Sequence, residues 1–190
     1  MKGKRKGKKQ SAIEQGGIVN TIIMFFITSF YSGRFPGIPG TAGSIVGYFL
    51  WKTWSYTNPR PFSSFLFVLF AGAFGCFLAS KALVLMVEGD RNMFVWDEML
   101  GCFIALSFLR PGTYKDETYL ILAVFALYRL LNIVKPFPIG VLGRQPGIMG
   151  LMSEGIVAGL IAMLVFFLPL ESFWVDTLKL VVLEAPKVGL

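Results

Sequence analysis

Histidine is missing altogether from the 190 residues, and cysteine nearly so, with two. The first absence excludes Ser-His-Asp and Cys-His catalysis and any phosphohistidine chemistry. The cysteines, Cys76 and Cys102, both fall within apolar runs. Their spacing suggests neither a disulfide framework nor a zinc site, so both are expected to be small core residues. Charge is also scarce: 15% of residues are Asp, Glu, Lys or Arg, against about 25% in typical soluble domains. Strand-like alternation, internal repeats and a cleavable leader are not evident. No basic surface interleaved with aromatics is visible, which argues against nucleic acid as a partner.

What remains is apolar. Hydrophobic residues make up 55% of the chain, 19 of them Phe, and the mean hydropathy is +0.66. This is the composition of a membrane protein. The net charge of +7 is uneven, since six of the 18 Lys and Arg lie in MKGKRKGKK at the start. Such a run reads as a solvated tail kept on the cytoplasmic side, able also to meet anionic headgroups.

The expected fold class is all-α: a polytopic membrane helix bundle with glycine-rich loops at its site. A basic tail is expected over 1–17, a membrane helical domain over 18–170, and an amphipathic tail over 171–190. The segment IVNTIIMFFITSFY, 18–31, is short for a crossing, which takes about 20 residues. SGRFPGIPGTAGS, 32–44, reads as a loop whose backbone N–H groups, with Thr41 and Ser44, open onto a helix starting at Ser44. Trp51 and Trp54 suit a membrane interface. FSSFLFVLFAGAFGCFLAS, 62–80, carries no charge and two stripes of small residues suited to close helix packing. A last apolar helix, 155–170, has Glu154 at its start and a Gly155/Gly159 face.

Against this background the polar exceptions stand out. MFVWDEMLG places Asp97 and Glu98 side by side in an apolar run. Burying a carboxylate is costly unless it is paired, neutralised or bound to a metal, and a second one beside it adds repulsion. The available counter-charges are Arg129 and Lys135, with Asn132 on the same helix face as Arg129. Glu154 would make a third acid. Two explanations fit these residue types. One is a buried ion-pair network that fixes helix register. The other is a hard-metal site, with Mg²⁺ on the acids and a phosphate on Arg129, Lys135 and the glycine loop. Metal-assisted attack of water on a phosphate ester needs neither His nor Cys.

Four blocks carry a resemblance. SGRFPGIPGTAGS resembles the GxGxxPxxPGTxGS loop of the phosphatidylglycerophosphatase A family, and FVWDEMLG its IVWDExxG segment. YRLLNIVKPFPIG resembles FRxFDIxKPxPI, and GIMGLMSEGIVAG resembles GGxGIMxDDxxAG. The resemblance implies a Mg²⁺-dependent phosphatase of the bacterial inner (cytoplasmic) membrane. It would convert phosphatidylglycerophosphate to phosphatidylglycerol, with the basic N-terminus and the site facing the cytoplasm. It implies catalytic roles for Asp97, Glu98, Arg129 and Lys135, and Mg²⁺ ligation by Asp97, Glu98 and Glu154. Substrate binding would fall to Gly40, Thr41, Gly43, Ser44 and Asn132. The partners implied are the bilayer and an anionic phospholipid substrate.

The chain departs from the pattern in three places. Asn132 stands where the family has Asp, Glu154 and Gly155 replace a pair of Asp, and Ala42 replaces Trp. These motivate an alternative: a catalytically impaired relative that binds lipid or assists assembly. A small transporter lined by Asp97, Glu98 and Glu154 ranks below both, because no pair of matching broken helices is visible.

Overall fold

The computed structural model describes residues 17–57, 61–85, 93–109 and 117–184, with side chains described as far as Leu168. The basic stretch at the start lies outside the described residues. Every described element is helical. The α-helices are α1 (Gly17–Ile27), α2 (Pro39–Ser55), α3 (Pro61–Leu85), α4 (Trp96–Leu106), α5 (Glu117–Val134), α6 (Ile139–Gly143) and α7 (Ile148–Glu184). A short 3₁₀ turn, Ser32–Arg34, joins α1 to α2.

Helix α4 is the axle. Of its 11 residues all but Glu98 are buried, and it packs most extensively on α7 and α2. One side of α4 (Trp96, Met99, Leu100, Ile104) meets Ile27 of α1, Leu78 and Ala79 of α3 and Met152 of α7. The other side (Cys102, Phe103, Leu106) meets Trp51 of α2, Val124 and Tyr128 of α5, and Ala158 and Ala162 of α7. A helix apolar all round must be wrapped on every side, and four longer helices do the wrapping.

Two helices, over Phe62–Leu85 and Ile148–Leu168, are long and apolar enough to cross a bilayer. Along α3, Phe62, Phe65, Leu66, Leu69, Phe70 and Phe77 all point outward. Water disfavours an apolar face of that extent, whereas lipid matches it. Within the described residues α1 has 11 residues, fewer than a crossing takes.

Several sequence expectations are corrected. Helix α2 begins at Pro39, five residues before Ser44, because proline suits the first helical position. Gly40, Thr41, Gly43 and Ser44 therefore lie on a helix rather than in a loop. Helix α7 begins at Ile148, so Glu154 sits inside it and not at its start. Trp51 is 2% exposed and belongs to the core; Trp54 donates from its indole N–H to the Ser64 hydroxyl, 3.1 Å. Cys102 is buried as expected, but Cys76 is exposed. Only one small-residue stripe of α3 packs: Gly75 lies against Trp96 and Met152, and Ala71 and Ala79 are buried.

Candidate active site

The described polar exceptions gather at one end of the bundle. There α2, α4 and α7 begin and α5 ends. The entry to α4 is pinned by the Val95 N–H donating to the Ile27 carbonyl, 3.3 Å. It is pinned again by the Trp96 indole N–H on the Ala71 carbonyl, 3.1 Å. Asp97 and Glu98 occupy the first turn of α4, where the helix dipole favours negative charge.

The two acids meet different surroundings. Asp97 Oδ2 accepts from the Gly155 N–H of α7 at 3.2 Å. Helices α4 and α7 cross there in backbone contact. A Cβ on Gly155 would lie 2.3 Å from the Asp97 carbonyl oxygen, and one on Gly159 would lie 2.2 Å from that of Gly101. Glycine is thus required at 155 by space. The second acid of the family pattern has no room in this crossing, and its place is taken by a backbone donor to Asp97.

Glu98 turns the other way, toward α2 and α5. Its Oε1 rests against Gly40, where a Cβ would stand 2.1 Å away. Its Oε2 is buried without a hydrogen-bond partner. The Tyr128 hydroxyl donates to the Glu98 backbone carbonyl at 2.8 Å. Burial pushes the Glu98 carboxyl up to about 7, against the pull of Arg129 and Lys135. Asp97 is also raised, by burial first and by the Glu98 charge second.

Arg129 bridges α5 to the first turns of α2. Its Nη1 donates to Ser44 Oγ at 2.9 Å and its Nη2 to Thr41 Oγ1 at 3.1 Å, while its Nε is buried without a partner. The Ser44 hydroxyl in turn donates to the Gly40 carbonyl, 2.9 Å. Gly43 and Gly47 let α2 approach α4, against Val95 and the Met99 carbonyl. The glycines expected to cradle an anion from a loop therefore act first by close packing, which brings the α2 N-terminus onto Glu98. Asn132 is buried, and its amide helps lower the Glu98 carboxyl.

Lys135 ends α5 in a left-handed conformation, φ 52, and its ammonium forms an ion pair with Glu154. Glu154 presses against Gly143 of α6. Among the described residues no three Cys, Asp or Glu side chains are grouped to hold a metal.

Sequence reasoning missed Tyr128 and Gly143. A tyrosine in an apolar helix reads as core. The available signal for Tyr128 was its place immediately before Arg129.

A helical bundle that brings two adjacent carboxylates and an arginine to the start of a glycine-bearing helix, with a Lys–Glu pair beside them, fits a helical phosphatase. The chain belongs to the phosphatidylglycerophosphatase A family: the family model of that description matches residues 25–170. Phosphatidylglycerophosphatase A of Haemophilus influenzae is 30% identical over 164 residues, covering 84% of this chain and 94% of that protein. The Escherichia coli protein of the same name is 32% identical over 134 residues, 70% of this chain and 74% of its own. A protein of Bacteroides thetaiotaomicron, whose name proposes a phosphatidylinositol-3-phosphatase, is 33% identical over 154 residues, 78% of this chain and 91% of its own. No solved structure matches.

Proposed function

We propose that this phosphatase removes the terminal phosphate of phosphatidylglycerophosphate, leaving phosphatidylglycerol, in a Mg²⁺-dependent reaction at the cytoplasmic face of a bacterial inner membrane. The observation that carries the reading is the meeting of Glu98, Arg129 and the first turn of α2 at one point, within the family-matched residues.

The donor set at this point is made of hard oxygen atoms. Asp97 and Glu98 offer carboxylate oxygens, Asn132 an amide oxygen, and Glu98 Oε2 is buried and unpartnered. These residues suit Mg²⁺. Glu154 is held by Lys135 and Asp97 Oδ2 by the Gly155 N–H, so Glu98 Oε2, with Asn132 beside it, is the oxygen free to hold the ion. A bound Mg²⁺ would supply charge neutralisation at the phosphate and a more acidic water.

The chain's own groups do the rest. Arg129 already has two N–H groups on Thr41 and Ser44. That fixes its guanidinium plane, and its free Nε presents a donor to a phosphate oxygen. Lys135, 43% exposed, is the reachable cation: phosphate competes with Glu154 for it. Donors held in place before the reaction stabilise charge as it develops on the phosphoryl oxygens. Water adds to phosphorus, the bond to the glycerol oxygen breaks, and a proton passes to that oxygen.

Purified protein incubated with phosphatidylglycerophosphate and Mg²⁺ is expected to release inorganic phosphate and to stop on chelation with EDTA. A parallel assay with phosphatidylinositol 3-phosphate tests the Bacteroides name. Release from the inositol lipid alone transfers the substrate assignment, and release from neither defeats the reading in favour of the impaired relative.

A further inference from the structure

The rim of the site carries apolar side chains that none of the described residues covers. Phe35 is 59% exposed, Ile38 53% and Phe137 86%. All three lie off the long helices. Ile38 is two residues before Gly40, which touches Glu98, and Phe137 is two residues after Lys135. Both stretches therefore border the site.

The loop that carries Phe35 and Ile38 is held stiffly. Ser29, Phe30 and Tyr31 follow one another in the left-handed region, φ 44, 61 and 65, which non-glycine residues rarely adopt. Gly33 is pinned behind them: its N–H donates to the Thr28 carbonyl at 2.9 Å, and a Cβ there would stand 2.2 Å from the Met93 carbonyl oxygen. A braced backbone that presents bare apolar side chains is built to meet a surface.

The level of that surface follows from α7. Helix α7 begins at Ile148 and is long and apolar enough over its described side chains, Ile148–Leu168, to cross a bilayer. The helix start at Ile148 lies at the site end of the bundle, and Glu154 stands about 9 Å along the helix from it. Lys81 on α3 marks the same side. It stands six residues beyond Gly75, which touches Met152, and is exposed. Arg34 and Arg144 are also exposed at this end, whereas the described acids there are part-buried in the site. The outward charge of the rim is positive among the described residues.

We propose that the segment 30–38 and the turn at Phe137 form an interfacial lip that seats the mouth of the site on an anionic phospholipid leaflet. Phe35, Ile38 and Phe137 enter the acyl boundary, and Arg34, Lys81 and Arg144 lie among the headgroup phosphates. The lip deepens the reading above, because it rests on a membrane phospholipid as substrate and explains how one reaches Glu98 without leaving the bilayer.

Two measurements test it. In nanodiscs of phosphatidylcholine and phosphatidylserine, the triple variant F35S/I38S/F137S is expected to raise the apparent KM for long-chain phosphatidylglycerophosphate at least fivefold. Turnover of a water-soluble dibutanoyl analogue should stay unchanged. Equal losses on both substrates, or no change on either, overturn the proposal. Independently of activity, nitroxides at Phe35→Cys and Phe137→Cys, in a Cys76→Ala background, should be more accessible to oxygen than to a chelated nickel relaxant. Labels more accessible to nickel, or shielded from both by protein, overturn it. Labels at lipid depth in a protein that releases no phosphate leave the lip standing and remove the phosphatase reading instead.

Discussion

Asp97 and Glu98 are adjacent in sequence, yet they belong to two regions built on opposite plans. The α4–α7 crossing around Asp97 is closed: backbones touch at Gly101, Gly155 and Gly159, and Oδ2 has a donor. The α2–α5 side around Glu98 is open: Glu98 Oε2 and Arg129 Nε are buried with no partner. Buried polar atoms are normally paired, so the unpaired Glu98 Oε2 and Arg129 Nε mark where a ligand completes the structure. The crossing supplies rigidity, and the other side supplies reactivity.

The largest expected effect separates these plans. Glu98→Gln should lower phosphate release by about 10²–10³-fold, the range for losing one electrostatic contributor to a transition state. Its melting temperature in detergent should hold or rise, because a buried charge with a like-charged neighbour is removed. A steep fall in melting temperature would show Glu98 to be a structural ion-pair member instead. Gly155→Ala should do the reverse of Glu98→Gln and act first on stability. Its Cβ meets the Asp97 carbonyl, and overpacking of this kind costs about 1–3 kcal/mol. Unchanged thermal melting would mean that the crossing is looser than the contacts imply.

Smaller effects sharpen the contrast. Tyr128→Phe removes the hydrogen bond to the Glu98 carbonyl, worth about 0.5–1.5 kcal/mol, and should lower kcat modestly while KM holds. Lys135→Met should reduce activity with little change in stability. The Lys135–Glu154 pair is 43% and 21% exposed, and pairs near the surface contribute about 0–1 kcal/mol. A melting shift larger than that range would make the pair structural.

The smallest effect is in pH. In EDTA the folded protein holds the Glu98 carboxyl at about 7, above its ordinary 4.5. A carboxyl raised on folding binds its proton more tightly when folded. Its stabilising contribution is therefore present below pH 4.5 and lost as pH rises through 7. Melting temperature without divalent cations should decline across that window, and Glu98→Gln should flatten the decline. An equal slope in the variant would assign it to other groups.

Much of the site was legible from residue chemistry. Two acids in an apolar run demand counter-charges, and Arg129 and Lys135 are there, with the Asn132 amide between them, on one helix end. The helical fold was legible for the same reason: a charge-poor, Phe-rich chain has few other ways to satisfy its backbone in an apolar setting. What could not be read was which glycine does what. Glycine spacing is the same whether the residue frees a loop or lets two backbones touch, so the start of α2 was placed five residues late. Gly155 looked like a lost ligand because the cost of a side chain there comes from Asp97, 58 positions away in the chain. Likewise the pairing of Glu154 with Lys135 is a tertiary fact, and the residue types alone left Glu154 equally suited to a metal.

The central claim is that the open side around Glu98 is a working phosphatase centre. Inorganic phosphate released from phosphatidylglycerophosphate with Mg²⁺ present, compared between the native chain and Glu98→Gln at matched folded concentration, tests it most directly. The account predicts steady release by the native chain and at least a hundredfold less by the variant. Equal release by the two, or none by the native chain, would contradict it.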